Sequence, residues 1–242
     1  QVLFACESIR GRVLARNLGG SIASGRILAF IDSDCIADPN WIATIYRSLN
    51  EYNGYDVIGG DVRIKPRGVT LEPIEAYESI YGYRFELYIR RDGYAGTGNL
   101  AMRRSVFDTV GPFSGILMAE DMEWGTRACL AGFQTTYVPE MIVFTGARRS
   151  FVELKNKWAR HIAHEFLEVQ GRGKYPRWIV RIILLAVSPL IELPRIATSS
   201  KIKGVRSRFL ALIVLSRIRF FRAQRMIQLL LGRRSATGEF RW

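Results

Sequence analysis

Cysteine and histidine are scarce in this chain, and their scarcity argues against two classes of protein. The three cysteines, Cys6, Cys35 and Cys129, are odd in number and lack metal-ligand spacing, which favours buried thiols in a reducing compartment over a disulfide framework. His161 and His164 lie three apart in a predicted helix without a third ligand nearby, so a basic helical surface is favoured over a metal site. Internal repeats and low-complexity segments are absent as well.

The sequence also lacks a long uncharged hydrophobic run. Residues 178–193 and 208–232 are apolar but interrupted by charge, and the longest uncharged run of the first, residues 182–191, is shorter than the roughly 20 residues of a membrane-spanning helix. Apolar faces with interspersed arginines are typical of helices that lie in a membrane interface over anionic lipid. The alternative is that both stretches are amphipathic helices of a soluble domain.

Charge is distributed unevenly along the chain. Residues 1–146 carry 14 Lys+Arg and 17 Asp+Glu, whereas residues 147–242 carry 21 and 5, so the formal charge of +13 is composed of −3 and +16. This predicts a slightly acidic globular domain over residues 1–146 and a basic, membrane-associating helical region over residues 147–242. The basic residues lie mostly among apolar helices without a nucleic-acid-binding motif, so an anionic membrane surface is the expected partner and nucleic acid is not.

Strands and helices alternate in the first part. Residues 2–5 and 26–34 predict strands, residues 10–25 and 38–52 predict helices, and residues 55–65 predict another strand. The run "RILAFIDSD" is apolar until its end, as expected for a strand covered on both faces. The order predicts an α/β fold with a Rossmann-like, mixed and mainly parallel sheet flanked by helices, followed by basic amphipathic or hydrophobic C-terminal helices.

Two carboxylates, Asp32 and Asp34, stand at the end of this buried strand. Ligands of open α/β sheets bind at the carboxyl ends of strands. Two acids placed there repel each other and lose hydration unless a positive group lies between them, and a divalent cation carrying phosphates would offset that cost. The alternative is that Asp34 only caps the following turn, although Asp38 can already cap the next helix.

A second acidic pair, Glu120 and Asp121, precedes a predicted amphipathic helix. Acids in a first helical turn are stabilised by the helix dipole, which is the structural explanation. A carboxylate at a helix start could equally act as a general base if an acceptor hydroxyl reaches it.

The loop "GTGNLA" contains Gly96, Gly98 and Ala101 in the G-x-G-x-x-A pattern of dinucleotide-binding proteins. The preceding residues do not form a buried strand, and no helix clearly begins on the loop, so a dehydrogenase is disfavoured. We expect instead that the glycines allow close backbone approach to a ligand and that Asn99 offers its amide to a sugar hydroxyl.

Taken together, "VLARNLGGSIASGRILAFIDSDCIADPNW", "GTGNLAMRRSVFDTVGPF" and "AEDMEWGTRACLAGF" resemble the core of an inverting family 2 glycosyltransferase of the GT-A fold. The resemblance extends from about Val2 to Phe166. It implies that Asp34 holds Mg²⁺ or Mn²⁺ against the donor diphosphate, and that Asp32 contacts the donor ribose or the metal's surroundings. It further implies that Arg16 contacts the nucleotide.

The same resemblance implies roles for the second acidic pair and the glycine loop. Asp121 would deprotonate the acceptor hydroxyl as it attacks the anomeric carbon. Glu120, Gly98 and Asn99 would shape the pocket for the acceptor and the donor sugar. A metal stabilising the leaving diphosphate and one carboxylate acting as base agree with the chemistry of such a transfer.

The sequence departs from the family's pattern at several points. The first strands of the family have no counterpart before Val2, so we expect an N-terminally truncated fragment. Thr145 stands where many members have a histidine, so a third protein ligand to the metal is not evident. The Q-x-x-R-W signature of processive synthases is also missing, which favours transfer of a single sugar.

The expected function is therefore transfer of a sugar from a UDP- or GDP-sugar donor to a lipid-linked or cell-envelope glycan acceptor. It is expected at the cytoplasmic face of the cell membrane. The alternative is a catalytically inactive GT-A-like binding protein at the membrane.

Overall fold

The structure, a computed structural model, describes Ala5, Glu7 and residues 11–50, 55–114 and 120–232. The strand predicted over residues 2–5 lies, apart from Ala5, outside these residues. The described helices and strands follow the chain in this order: α1 (Arg12–Ile22), β1 (Ile27–Ile31), β2 (Cys35–Ala37), α2 (Trp41–Asn50), β3 (Val57–Lys65), α3 (Pro73–Tyr81), α4 (Phe85–Asp92), β4 (Asn99–Arg103), α5 (Arg104–Val110), α6 (Glu120–Leu130), β5 (Thr135–Gly146), α7 (Phe151–Arg172), α8 (Tyr175–Ile191), α9 (Leu193–Thr198) and α10 (Val205–Leu230).

The chain divides into two compact units. The first consists of residues 1–65 and 83–146, and the second of residues 66–82 and 147–242. The sequence predicted that residues 1–146 form one part, and the structure differs by assigning residues 66–82 to the second unit. The reason is that α3 packs its buried Tyr77 and Ile80 into the core of that unit.

A five-stranded mixed sheet, with strand order β1-β4-β3-β5-β2, forms the centre of the first unit. The mixed sheet flanked by helices confirms the predicted fold class, but "mainly parallel" is wrong for the strand pairs. Among the strands that the structure describes, only β3 and β5 pair in parallel, whereas β1–β4, β3–β4 and β2–β5 are antiparallel. The expectation that the apolar run of β1 is covered on both faces is also wrong, because β1 lies at the edge of the described sheet, where Leu28 is buried but Ala29 and Ile31 are exposed.

Successive residues of β4 point into different hydrophobic cores on the two faces of the sheet. Leu100 and Met102 pack in a core with Trp124 of α6, whereas Ala101 packs in another with Ile58 of β3. This alternation is the period-two geometry of a strand. The strand β4 is therefore packed on both faces.

The second unit is built around contacts of α3 with the C-terminal helices. Glu75 and Glu78 of α3 are buried and pair with Arg67 and Arg148 respectively, so two acids inside this unit are neutralised. Ile218 of α10 belongs to the same buried cluster as the apolar face of α3. Among the helices that the structure describes, none has the length and apolar character needed to cross a membrane.

Candidate active site

The segment after β1 meets the loop before β4. Ile31 pairs with Asn99 in the antiparallel register, so Asp32 lies beside Gly98. A Cβ atom on Gly98 would stand 2.8 Å from Asp32 Oδ2, which is closer than Cβ contacts allow. The missing side chain therefore makes room for the Asp32 carboxylate, and two of the sequence motifs lie side by side.

Arg16 of α1 connects the two acidic pairs. Its Nη2 donates to Asp32 Oδ1 at 2.9 Å and its Nη1 donates to Glu120 Oε1 at 3.0 Å. The same Nη1 lies 4.0 Å from Asp121 Oδ1, and the Arg16 side chain is 15% exposed. One partly buried guanidinium thus holds together carboxylates that are distant in the sequence, in the planar two-pronged geometry that arginine favours.

Glu120 accepts hydrogen bonds from two arginines. Arg12 Nη2 donates to Oε2 at 3.0 Å, while Oε1 lies 2.7 Å from Arg12 Nε in addition to its bond with Arg16. Burial acts to raise the pKa of Glu120, but its own backbone N–H, Arg12 and Arg16 together outweigh burial and lower that pKa. The side chain is 4% exposed and holds the two arginines in place, while its role in shaping the pocket for the acceptor and the donor sugar stays a prediction.

The pKa of Asp121, the next residue, is shifted in the opposite direction to that of Glu120. Burial and the charge of Glu120 raise the pKa of Asp121, and Arg16 and Thr97 offset this only in part. Its Oδ1 is buried and has no hydrogen-bond partner among the described residues. The side chain as a whole is still 28% exposed, so a ligand can reach it. A reachable carboxylate with a raised pKa is suited to accept a proton.

Thr97 is a site residue that sequence reasoning missed. It is 1% exposed, and its side chain and backbone N–H lie close enough to Asp121 to lower the pKa of that carboxyl. The available signal was its position between Gly96 and Gly98, where a hydroxyl in a tight loop can orient a neighbouring carboxylate. The glycine loop therefore contacts both acidic pairs.

Asn99 requires a correction, because the structure assigns its amide to the core. The residue is 0% exposed; its Oδ1 accepts from Trp41 Nε1, and its Nδ2 donates to the backbone oxygens of Asp61 and Met141. A Cβ on Gly60 would lie 2.4 Å from Asn99 Nδ2, so this glycine makes space for the amide. Asn99 joins β4 to β3 and β5 at the break in their register, and it cannot donate to a sugar hydroxyl as predicted.

Asp34 and its neighbours determine whether a metal fits. Asp34 is exposed, and Cys35 beside it has a pKa raised to about 11 by burial and by Asp34 and Asp32, so its thiol stays protonated. Thr145 pairs with Cys35 in the register of β2 and β5 and is 3% exposed. Within the described part of the chain, no three His, Cys, Asp or Glu side chains group as a metal site. Two aspartates without a third protein ligand fit Mg²⁺ or Mn²⁺, because such ions take their remaining ligands from phosphates and water.

The site thus combines groups that can bind a phosphate-bearing ligand with one group that can take a proton. Asp32 and Asp34 provide carboxylates just after the end of β1, and Arg16 fixes the first of them. Asp121 adds a carboxylate with a raised pKa that lies near Arg16 and Thr97 and is suited to accept a proton.

A mixed α/β unit with this acidic site agrees with the comparison by sequence. Residues 27–221 match the profile of "Glycosyl transferase family group 2", and the chain belongs to that family of glycosyltransferases. The family predicted from the three motifs is thereby confirmed.

Individual relatives were also found. Over 178 residues the chain is 33% identical to Glycosyltransferase AglE of Haloferax volcanii; the match covers 73% of this chain and 54% of AglE, so the chain spans about half of that relative's length. Among solved structures, it is similar to the mannosyltransferase PcManGT from Pyrobaculum calidifontis, in complex with GDP-Man and Mn²⁺. That similarity has a TM-score of 0.47 and 14% identity, and it covers 93% of this chain and 67% of the other.

Proposed function

We propose that the chain is an inverting glycosyltransferase that moves one sugar from a nucleotide-diphosphate donor to an acceptor hydroxyl. The observation that carries the proposal is the asymmetry between two adjacent carboxylates. Glu120 is held by two arginines and has a lowered pKa, whereas Asp121 has a raised pKa and a buried oxygen without a hydrogen-bond partner among the described residues. Such an arrangement leaves one base in the site, which is what inversion by direct displacement requires.

Donor binding is assigned to the end of β1. Asp34, assisted by Asp32, would hold Mg²⁺ or Mn²⁺, which when bound neutralises charge on the leaving diphosphate. Arg16 keeps Asp32 in place through the 2.9 Å hydrogen bond to its Oδ1. Gly98 leaves the other oxygen of Asp32 uncovered by a side chain, so this carboxylate has a free oxygen for the metal's surroundings or the donor ribose.

The displacement itself is assigned to Asp121. As the acceptor oxygen forms its bond to the anomeric carbon, its proton passes to the Asp121 carboxylate. The bond from the anomeric carbon to the diphosphate oxygen breaks, and its electron pair leaves with the diphosphate. Arg16 and Thr97 hold the carboxylate in position, while burial keeps its pKa high enough for it to accept the proton.

The proposed acceptor is a lipid-linked or cell-envelope glycan, and the proposed location is the cytoplasmic face of the membrane. Support comes from the charge of the C-terminal part, since residues 147–242 carry 21 Lys+Arg and 5 Asp+Glu. The proposed donor is a UDP- or GDP-sugar.

The test is transfer or hydrolysis with a panel of UDP- and GDP-sugars, with and without Mn²⁺. We expect wild-type turnover to depend on the metal, and Asp121→Asn and Asp34→Ala each to lower kcat by about a hundredfold or more. Glu123→Gln is the matched control for Asp121→Asn, because Glu123 lies on the same helix but pairs with Arg127 at the surface. If both active-site variants keep full activity, the mechanism is wrong; donor binding without turnover in the wild type would favour a binding protein.

A further inference from the structure

Arg222 of α10 is a buried cation without a carboxylate beside it. The residue is 5% exposed, and its Nε has no hydrogen-bond partner among the described residues. Its guanidinium lies over the ring of Trp158, with 3.8 Å between the central carbon and the ring centroid. Because a buried charge without a counter-charge is costly, a negatively charged partner would stabilise this side chain.

The carboxylates around Arg222 belong to other ion pairs. Glu165 of α7 pairs with Arg181 at 2.8 Å, and Glu192 lies 3.8 Å from Arg219, one turn before Arg222. The helix α10 itself contains no acidic residue. Burial, and then the charges of Arg219 and Arg181, lower the pKa of Arg222 to about 10, so at neutral pH it stays charged in a site that disfavours the charge.

Two further N–H groups near Arg222 are buried without an acceptor. They are Nε of Arg219 and Nε1 of Trp158, and neither has a hydrogen-bond partner within the described part of the chain. Burial raises the pKa of Tyr77 to about 12, against the charges of Arg219 and Arg222 and the indole of Trp158, so these groups lie around one protonated hydroxyl. Each unsatisfied donor destabilises the fold, and one acceptor between them would satisfy several at once.

The surroundings of these donors are electropositive and partly open to solvent. Burial and the positive charges of Lys157 and Arg222 lower the pKa of His161 to about 4. The Arg219 side chain is 18% exposed and Trp158 is half-buried, so a small ion can reach the group from solvent.

From these observations we propose that Trp158, Arg219 and Arg222, which we name the Arg222 cluster, bind a phosphate-type oxyanion. A guanidinium stacked on an aromatic face keeps its in-plane N–H groups available, and these match the oxygens of phosphate. Several oxygens on one centre can also accept from the indole N–H. The phosphate comes either free from solution or as part of a larger ligand, and both present the same oxygens. This proposal goes beyond the proposed transfer reaction, since it requires neither the sugar donor nor the metal.

The test is thermal unfolding of the full chain in increasing phosphate, compared with potassium chloride at equal ionic strength. EDTA is present throughout, so that no metal at Asp34 holds the phosphate. We expect the wild-type Tm to rise by roughly 5 °C more in phosphate than in chloride between about 1 and 100 mM. Glycerol 3-phosphate in the same series distinguishes the two sources: a larger rise than with phosphate indicates the phosphate of a larger ligand, and a smaller rise indicates the free ion.

Two variants connect this rise to the Arg222 cluster. Arg222→Met keeps an apolar stem against Trp158 but removes the charge, and should abolish the phosphate-dependent rise. Trp158→Phe keeps a ring under Arg222 but removes the indole N–H, and should weaken phosphate binding by about tenfold, also where Arg222→Met does not fold. The matched control is Arg225→Gln, since Arg225 lies on the same helix and donates to Gln228; phosphate binding should stay within about twofold of wild type.

Phosphate also stabilises proteins by exclusion from their surfaces, and the variants separate this effect from binding. Equal rises in the wild type, Arg222→Met and Trp158→Phe would overturn the proposal. It would also be overturned if phosphate raises the wild-type Tm no more than chloride does, or if Arg225→Gln loses the rise as Arg222→Met does.

Discussion

The unusual environment of Asp121 predicts that replacing it with asparagine stabilises the fold while removing activity. In the folded protein its carboxylate has a buried oxygen without a hydrogen-bond partner among the described residues and lies next to the charge of Glu120. An unsatisfied buried polar atom costs about 1–3 kcal/mol, and the attraction of Arg16 at 4.0 Å offsets part of this. Because the pKa is raised, the charged form is disfavoured on balance. We expect Asp121→Asn to gain about 1 kcal/mol at neutral pH, or a Tm higher by roughly 2–4 °C for a chain of this size.

The pH dependence of this gain has a definite sign. A folded-state pKa above the unfolded value means that ionisation destabilises the folded protein, so the penalty is absent below the unfolded pKa and complete above the folded pKa. The difference in unfolding free energy between Asp121→Asn and wild type should therefore grow as pH rises through this window. Urea unfolding at a series of pH values measures the difference, and Glu123→Gln serves as the surface control.

Two results would refute this reasoning. Asp121→Asn could destabilise the protein at neutral pH, in which case Arg16 and Thr97 would stabilise the charged carboxylate more than burial and Glu120 disfavour it. Alternatively, the difference between variant and wild type could be independent of pH, in which case the folded protein would not perturb the ionisation of Asp121.

Three further predictions concern the groups around this carboxylate. Glu120→Gln should destabilise the fold by about 1–3 kcal/mol, since it removes the negative charge of a nearly buried ion pair. It should also move the acid limb of the pH profile of kcat/KM to lower pH, because the charge of Glu120 is one cause of the raised Asp121 pKa. An acid limb that stays in place or moves to higher pH would contradict this. Gly98→Ala should raise the KM for the donor severalfold, because the new Cβ would lie 2.8 Å from Asp32 Oδ2 and would push that carboxylate away. An unchanged KM in steady-state kinetics would show that Gly98 has no role in donor binding. Asn99→Ala should cost about 3 kcal/mol or more of unfolding free energy in urea titration, since three buried groups lose their partner; a small loss would mean that water replaces the amide.

The acidic motifs could be found from the sequence because their positions follow from local structure. The apolar strand β1 ends just before Asp32, and α6 begins at Glu120; each boundary is visible in the sequence as a change from apolar to acidic residues. Their proximity could be inferred through the family resemblance, but the physical connection through Arg16 could not. It depends on the placement of α1, which no local pattern encodes.

The errors arose where a residue's partners come from distant strands. Asn99 was predicted to face a sugar because it follows a glycine loop, whereas the register with β3 and β5 places its amide between the backbone oxygens of Asp61 and Met141. The antiparallel pairing of β1 with β4 was missed for a similar reason, since the composition of a strand carries no information about its direction. Thr97 was missed because the carboxylate whose pKa it lowers, Asp121, belongs to α6, which is distant from Thr97 in the sequence.

The anomeric configuration of the first product tests the central claim most directly. In the proposed mechanism Asp121 is the one base and Glu120 is held by Arg12 and Arg16, so displacement occurs once at the anomeric carbon. Proton NMR of the early reaction with an α-linked nucleotide sugar, with water or a supplied alcohol as acceptor, distinguishes the two outcomes. Inversion gives a β-configured product, and an α-configured product formed first would contradict the assignment of Asp121 as the base of a single displacement.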